Sequence, residues 1–552
     1  MRLMTKVHRV RPSRRAVGSV KALLLIAALL LTFGAGADCL SCHEDHALHP
    51  ADPHYGLAES CASCHGGDPT ATSLPRAHSR LIGAPGELSN ASRACAGCHT
   101  QEVIHVLSGL MHTGRGMVNV TRFTFGETPH PEGLGDLSFG ARLGDSPADS
   151  LLRKRCASCH LGQPRHQIGT DDPIGSRGGG CLACHLSTEH GGGHPVLTRR
   201  VRDESCIGCH SRSGRIALSY AGLAEVDDDA LHRPDTSRLG YLPDGRLVER
   251  IAADLHHTAG LACIDCHTKR DVMGPTSGFA HGSDAVDIQC QDCHANEQSR
   301  ITVQDWPQDL EGLLDAIPYR VTDRTEFLVT ERRGTPLWHI EVGPNEKLLH
   351  RKILGERVRI PPMSATHHPD DGHHDRLACS ACHSGWAPQC YGCHMEYDPN
   401  QEQWDHARRE FTPGAWIDER WGIRNEQPPL GIDGHGRIVP FIPGMIRSID
   451  HSELAGPRFR RLFAPIAPHT TVRGLDCAAC HRSSVALGLG RGQLRRGTAG
   501  WEFEPARPLL EDGMPDDAFV TLDGKAGETT RRHARGFEPE ELLRILDAAI
   551  PE

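Results

Sequence analysis

The sequence predicts a fold of mostly short α-helices and loops with little regular structure, plus a small β-strand insertion around 325–360. Three observations predict it. Hydrophobic residues make up 38% and aromatics only 5% of the 552 residues, so a self-contained side-chain core is thin. Glycine (59) and proline (37) punctuate the chain before elements can grow long. The 22 cysteines recur in one short pattern that fixes local structure throughout the chain.

That pattern is C-x-x-C-H. It occurs at Cys39, Cys42 and His43; Cys61, Cys64 and His65; Cys95, Cys98 and His99; Cys156, Cys159 and His160; Cys181, Cys184 and His185; Cys206, Cys209 and His210; Cys263, Cys266 and His267; Cys290, Cys293 and His294; Cys379, Cys382 and His383; Cys390, Cys393 and His394; and Cys477, Cys480 and His481. Eleven units consume all 22 cysteines, which argues against a disulfide framework. A zinc site gains nothing from a histidine directly after each second cysteine. C-x-x-C-H is the attachment signature of c-type haem: each thiol adds to one vinyl group, and the histidine lies under the iron.

On these motifs the sequence resembles the multihaem c-type cytochromes, over residues 39–481. The resemblance implies eleven covalent c-type haems, with the 22 cysteines as anchors and the eleven motif histidines as proximal iron ligands. The fold is then haem-cored, with porphyrin replacing the missing side-chain core.

The sixth ligand decides what each iron does: histidine makes a closed, low-potential carrier, and an open position admits substrate. Histidine is plentiful and methionine scarce, so histidine–histidine ligation is the default. Several histidines shortly precede a motif and can reach a neighbouring haem: His54, His256, His257, His281, His373, His374 and His469. His49, His78, His194 and His451 stand alone in loop-like sequence and complete the set of distal candidates. His105, His112, His130 and His166 rank after them, and His435 reads as a turn-tip residue.

Residues 1–37 read as a secretory signal, with a basic start, the apolar run ALLLIAALLLTF and an Ala-x-Ala pattern ending at Ala37. The mature chain is then acidic, which argues against nucleic acid as a partner. No later stretch is long enough to span a bilayer. Residues 38–300 carry eight motifs, 301–370 a β-rich insertion, 371–481 three motifs, and 482–552 a haem-free extension ending in a helix. First-cysteine intervals of 22, 34, 61, 25, 25, 57, 27, 89, 11 and 87 residues exclude a fixed-period solenoid. The shortest interval, in CSACHSGWAPQCYGCH, marks two neighbouring haems, with Trp386 placed against a porphyrin face or in a core.

The function read from this is a periplasmic or extracellular electron-transfer protein, relaying electrons between redox protein partners. It is read as a carrier without catalytic residues. The alternative is a multihaem oxidoreductase with one open haem, loosely resembling octahaem hydroxylamine oxidoreductases and tetrathionate or nitrite reductases. A second alternative is a subunit of a conducting filament or of a porin–cytochrome complex at the outer membrane.

Overall fold

The computed structural model describes residues 39–550 except 58–60, 133–142, 163–178, 188, 190–192, 213, 276–277 and 365–373, and of 445–447 only the backbone. The signal segment 1–37, His166 and His373 lie outside the described residues. Among the described residues no helix is long and apolar enough to cross a membrane.

The structure overturns the expectation of a mostly helical and irregular chain. Helix accounts for 29% and strand for 23%, and a large mixed sheet curls into a half-barrel. Its long strands are β1 (Ala387–Asp405), β2 (Glu410–Glu426), β3 (Ile438–Asp450) and β4 (Arg458–Pro465), in the order β2-β1-β3-β4. β1 and β2 form an antiparallel hairpin, β3 runs parallel to β1 with Arg447 opposite Cys393, and β4 returns antiparallel.

Punctuation hid these strands. Pro388, Pro399, Pro413, Gly392, Gly414 and Gly422 all fall inside the hairpin and read as breakers. Tertiary context overrides them. β2 is an edge strand, where proline forfeits no ladder bond, and a bulge between Pro413 and Ala415 absorbs Gly414 at φ +84°. The Lys154 ammonium, buried at 4% exposure, donates to the bulge carbonyl of Pro413 at 2.7 Å. Next to it Arg153 donates to Asp405 at 2.7 Å. These contacts dock the segment before the fourth motif onto the hairpin that carries the tenth.

The main side-chain core lies at the C-terminal end. Phe463 stacks on Phe519 at 4.3 Å between ring centres, and Phe441 meets it tilted at 5.1 Å. Leu542 and Leu546 of a C-terminal helix, Pro539–Asp547, close the same cluster. The helix starts with Pro539 and two acids in its first turn, an arrangement that suits its N-terminus.

Around 325–360 four short strands form: Phe327–Leu328, Ile340–Val342, Lys347–His350 and Arg357–Ile360. They pack Leu328, Leu337, Ile340 and Leu349 against Leu261, Cys266 and Cys293. Lys347 then donates to the carbonyls of Cys293 and Ala295 at 2.6 and 2.9 Å, capping the turn that holds the eighth motif.

Candidate haem-binding sites

None of the 22 cysteines is disulfide-bonded. Most motifs form a single helical turn, which brings both thiols to one side. The histidine N–H closes that turn on the first cysteine's carbonyl, at 3.0 Å for His43, 2.8 Å for His99, 2.9 Å for His267 and 2.9 Å for His481. The tenth motif differs, because Cys390 to His394 lie within strand β1.

Seven motif histidines each face a second imidazole at nearly the same separation. Ring centres are 6.1 Å apart for His43–His78, His54–His99 and His65–His194, 6.4 Å for His112–His160, 6.0 Å for His256–His294, 6.2 Å for His267–His469 and 6.3 Å for His374–His481. Two metal–nitrogen bonds of roughly 2 Å, plus roughly 1 Å from each nitrogen to its ring centre, give about 6 Å across one metal ion. The residues therefore fit an iron between each pair.

Hydrogen bonding prepares the same rings. The Nδ1 of His65 bonds to Ile82 O at 3.0 Å, of His294 to Pro361 O at 2.8 Å and of His481 to Ile545 O at 2.8 Å. Opposite them, Nδ1 of His78 bonds to Leu74 O at 2.9 Å, of His194 to Pro195 O at 2.8 Å and of His469 to Ala467 O at 2.8 Å. A carbonyl can only accept, so each Nδ1 carries the proton and Nε2 keeps its lone pair for a metal. Burial pushes the pKa values of His210, His294 and His469 down, which keeps those rings neutral.

Contacts between thiols order the motifs in space. The Cys64 thiol is pushed up by burial and by Cys95, Asp52 and Cys98. Cys95 lies beside Cys181, Cys263 beside Cys206, and Cys290 beside Cys379. Burial raises Cys184 to about 11 with Cys206 beside it, Cys293 to about 12 with Cys266 beside it, and Cys480 to about 11 with Cys382 beside it. The motifs thus follow one another as second, third, fifth, sixth, seventh, eighth, ninth and eleventh. The fourth branches off the sixth, where Cys209 Sγ donates to Cys159 O at 3.2 Å. Arg155, next to Cys156 in the chain, is within electrostatic reach of Cys393, which brings the fourth motif near the tenth.

Within this path one constellation occurs twice. Asp52 accepts from His54 Nδ1 at 3.1 Å and from Leu197 N at 2.7 Å. Asp254 accepts from His256 Nδ1 at 2.9 Å and from Thr471 N at 2.6 Å. Leu197 pairs with Leu186 as Thr471 pairs with Ser384, each directly after a motif histidine. His185 Nδ1 bonds to Thr198 O at 2.8 Å, and His383 Nδ1 to Val472 O at 2.9 Å. The second, third, fifth and sixth motifs therefore have spatial counterparts in the seventh, eighth, ninth and eleventh.

The first seven motif histidines line one connected cavity of about 3260 Å³, together with His54, His78 and His194. Gly180, before the fifth motif, has φ +57°, and a Cβ there would lie 2.3 Å from Gly86 O. Its bareness thus serves a backbone–backbone approach that seats the motif.

The remaining candidates are placed differently. His281 is buried at 4% exposure in the cavity wall, its Nε2 3.8 Å from Glu132. His451 packs against Tyr397 and Trp416 at 4.3 and 5.4 Å. His257 meets Tyr220 edge-on at 5.1 Å, and His49 Nδ1 accepts from Ala51 N at 3.1 Å. Among the described residues no such ring pair involves His185, His210 or His394; His394 Nδ1 bonds to Ser448 Oγ at 2.6 Å. His112, which ranks after the other candidates in the sequence, faces His160 although its helical setting carries no local ligand signal. Asp52 and Asp254 were missed, although Asp-x-His before a motif occurs twice. Trp386 is buried and donates from Nε1 to Ala252 O at 3.0 Å.

Residues 175–215, holding the fifth and sixth motifs, match the family description "doubled CXXCH motif". The motifs indicate covalently bound c-type haem. The chain is similar in this to c-type haem-binding proteins, and the paired motifs point to a multihaem cytochrome in electron transfer. No curated protein and no solved structure matches.

Proposed function

We propose that this chain is an exported electron carrier that relays electrons through eleven c-type haems between redox protein partners. The observation that carries the reading is the set of histidine pairs at 6.0 to 6.4 Å. In this reading His78, His54, His194, His112, His256, His469 and His374 are distal ligands, opposite His43, His99, His65, His160, His294, His267 and His481. The bound haem supplies one-electron exchange between Fe(III) and Fe(II). At those seven motifs the chain would hold the iron between two imidazoles, with the Nδ1 hydrogen bonds setting ring tautomers, and would close the sites to exogenous ligands.

The thiol contacts support a continuous path from the second motif to the eleventh, with a side arm through the fourth to the tenth. Distal ligands come from segments far from the motif they serve, so haem attachment ties remote parts of the chain together. Folding should depend on that attachment as a metallo-domain depends on its metal. The acidic mature chain, with the propionates of its haems added, favours basic partner surfaces.

The test is an intact mass spectrum of the exported holoprotein with electron paramagnetic resonance of its oxidised form. The expected result is a mass increment of eleven haems on a chain cut near Ala37, with mainly low-spin signals. Fewer haems, or several high-spin irons that bind cyanide, would refute it.

A further inference from the structure

Two buried carboxylates stand behind two of the paired histidines. Asp52 is 4% exposed and Asp254 2%. Each gives one oxygen to both the backbone N–H and the ring Nδ1 of the histidine two residues on, at 2.8 and 3.1 Å for His54 and at 2.8 and 2.9 Å for His256. The other oxygen takes a backbone N–H from the segment that carries His194 or His469. Rings of the same kind at His78, His194 and His469 rest on neutral carbonyls instead.

A turn cap alone does not require the charge, since asparagine caps equally well. Burying a carboxylate is expensive unless a cation answers it. Among the described residues neither aspartate has a lysine or arginine ion pair; the group that faces each is an imidazole Nδ1–H. An imidazole bound to Fe(III) is a better proton donor than one bound to Fe(II), so the N–H···O⁻ bond is stronger in the oxidised state.

We propose that Asp52 and Asp254 are positioning residues that hold His54 and His256 and thereby lower the reduction potentials of the third- and eighth-motif haems. The equivalent placement of the two in the repeated constellation makes them a matched pair of low-potential steps. This rests on the reading of His54 and His256 as iron ligands.

The test is a spectroscopically monitored redox titration of the holoprotein and of Asp52→Asn, Asp254→Asn and the double variant, with electron paramagnetic resonance of each. Asparagine keeps the cap and removes the charge. Each single variant is expected to raise the potential of one haem, with its reduced-to-oxidised ratio at fixed potential up about tenfold, or ~59 mV for one electron. The double variant moves two haems, and all stay low-spin. Unmoved potentials in low-spin Asp52→Asn and Asp254→Asn proteins would overturn the proposal. If one variant misfolds, the other, on a separate segment, decides. His54→Ala and His256→Ala separate the two levels: no new high-spin iron in either would sink the ligand reading itself.

Discussion

His267 and His469 lie nearly parallel, 18° between ring planes with centres 6.2 Å apart, whereas His54 and His99 cross at 88°. Parallel imidazoles split the two iron dπ orbitals, and crossed ones leave them nearly degenerate. Low-temperature paramagnetic resonance of the oxidised protein should therefore show two low-spin classes. The crossed class, with its large maximal g value, should include the pairs of His43, His65, His99 and His481, at 86°, 79°, 88° and 83°. His469→Met should remove one rhombic signal and leave the crossed class intact. A single uniform class would contradict the ring geometry.

His112 provides a second check, because little in its sequence surroundings marks it. Its ring is 6.4 Å from that of His160, and Gly162 passes so close that a Cβ there would lie 2.7 Å from His112 Nδ1. His112→Ala should convert one iron from low-spin to high-spin, read by resonance Raman and paramagnetic resonance. The total haem count should not change, since Cys156 and Cys159 remain. Retention of the full low-spin signal would remove His112 from the ligand set.

The anchors were legible in the sequence because C-x-x-C-H is local chemistry. Distal partners were only half legible. His54 and His256 share the spacing D-x-H-x6-C-x-x-C-H with the motif that follows, yet each ring faces the histidine of a different motif, His99 and His294. That exchange depends on how chain segments cross, which no local pattern encodes. The doubled constellation was hidden for the same reason, since unequal loops separate corresponding parts and defeat a search for a period. The half-barrel was missed because Pro413 and Gly414 read as breakers, while an edge strand with a bulge accommodates both. The strands around 325–360 and the C-terminal helix, whose signals are local, are found where the sequence put them.

Glu225 gives a pH-dependent prediction. Burial, the largest influence, would raise its pKa, and the hydrogen bond from Arg215 at 2.5 Å acts against it. The charges of Arg215, Arg246 and Arg420 then hold the carboxyl below its usual range, and Asp227 faces it as a like charge with its own pKa raised by burial. A depressed carboxylate stabilises the fold fully above the unfolded-state pKa of about 4.3 and loses that contribution as pH falls through the folded value. Glu225→Gln should therefore unfold at lower temperature than the parent protein at pH 7. The gap should narrow below about pH 4. A gap that stays constant down to pH 3 would show that packing, rather than charge, is at stake.

The buried pair of Arg153 and Asp405 joins the fourth motif's segment to the hairpin of the tenth. Their side chains are 5% and 0% exposed, and the nitrogen–oxygen distance is 2.7 Å. Asp405 also accepts the N–H groups of Ala407 and Arg408 at 3.0 and 2.9 Å, closing the hairpin turn. Asp405→Ala leaves the buried Arg153 facing the exposed Asp145 3.6 Å away in place of a buried partner, so it should cost about 3 kcal/mol. The loss should be local. Around it Trp416, Met395 and Cys393 pack against Phe125 and Leu151, so protection from amide hydrogen exchange should fall there first. Exchange near His267 and His294, braced by the strands around 325–360, should stay as in the parent protein. Replacing both partners with apolar residues, Arg153→Met with Asp405→Leu, should recover much of the stability, since a packed apolar pair can match a buried ion pair. Loss of protection spread evenly over the chain would mean that the side arm and the main path unfold as one unit.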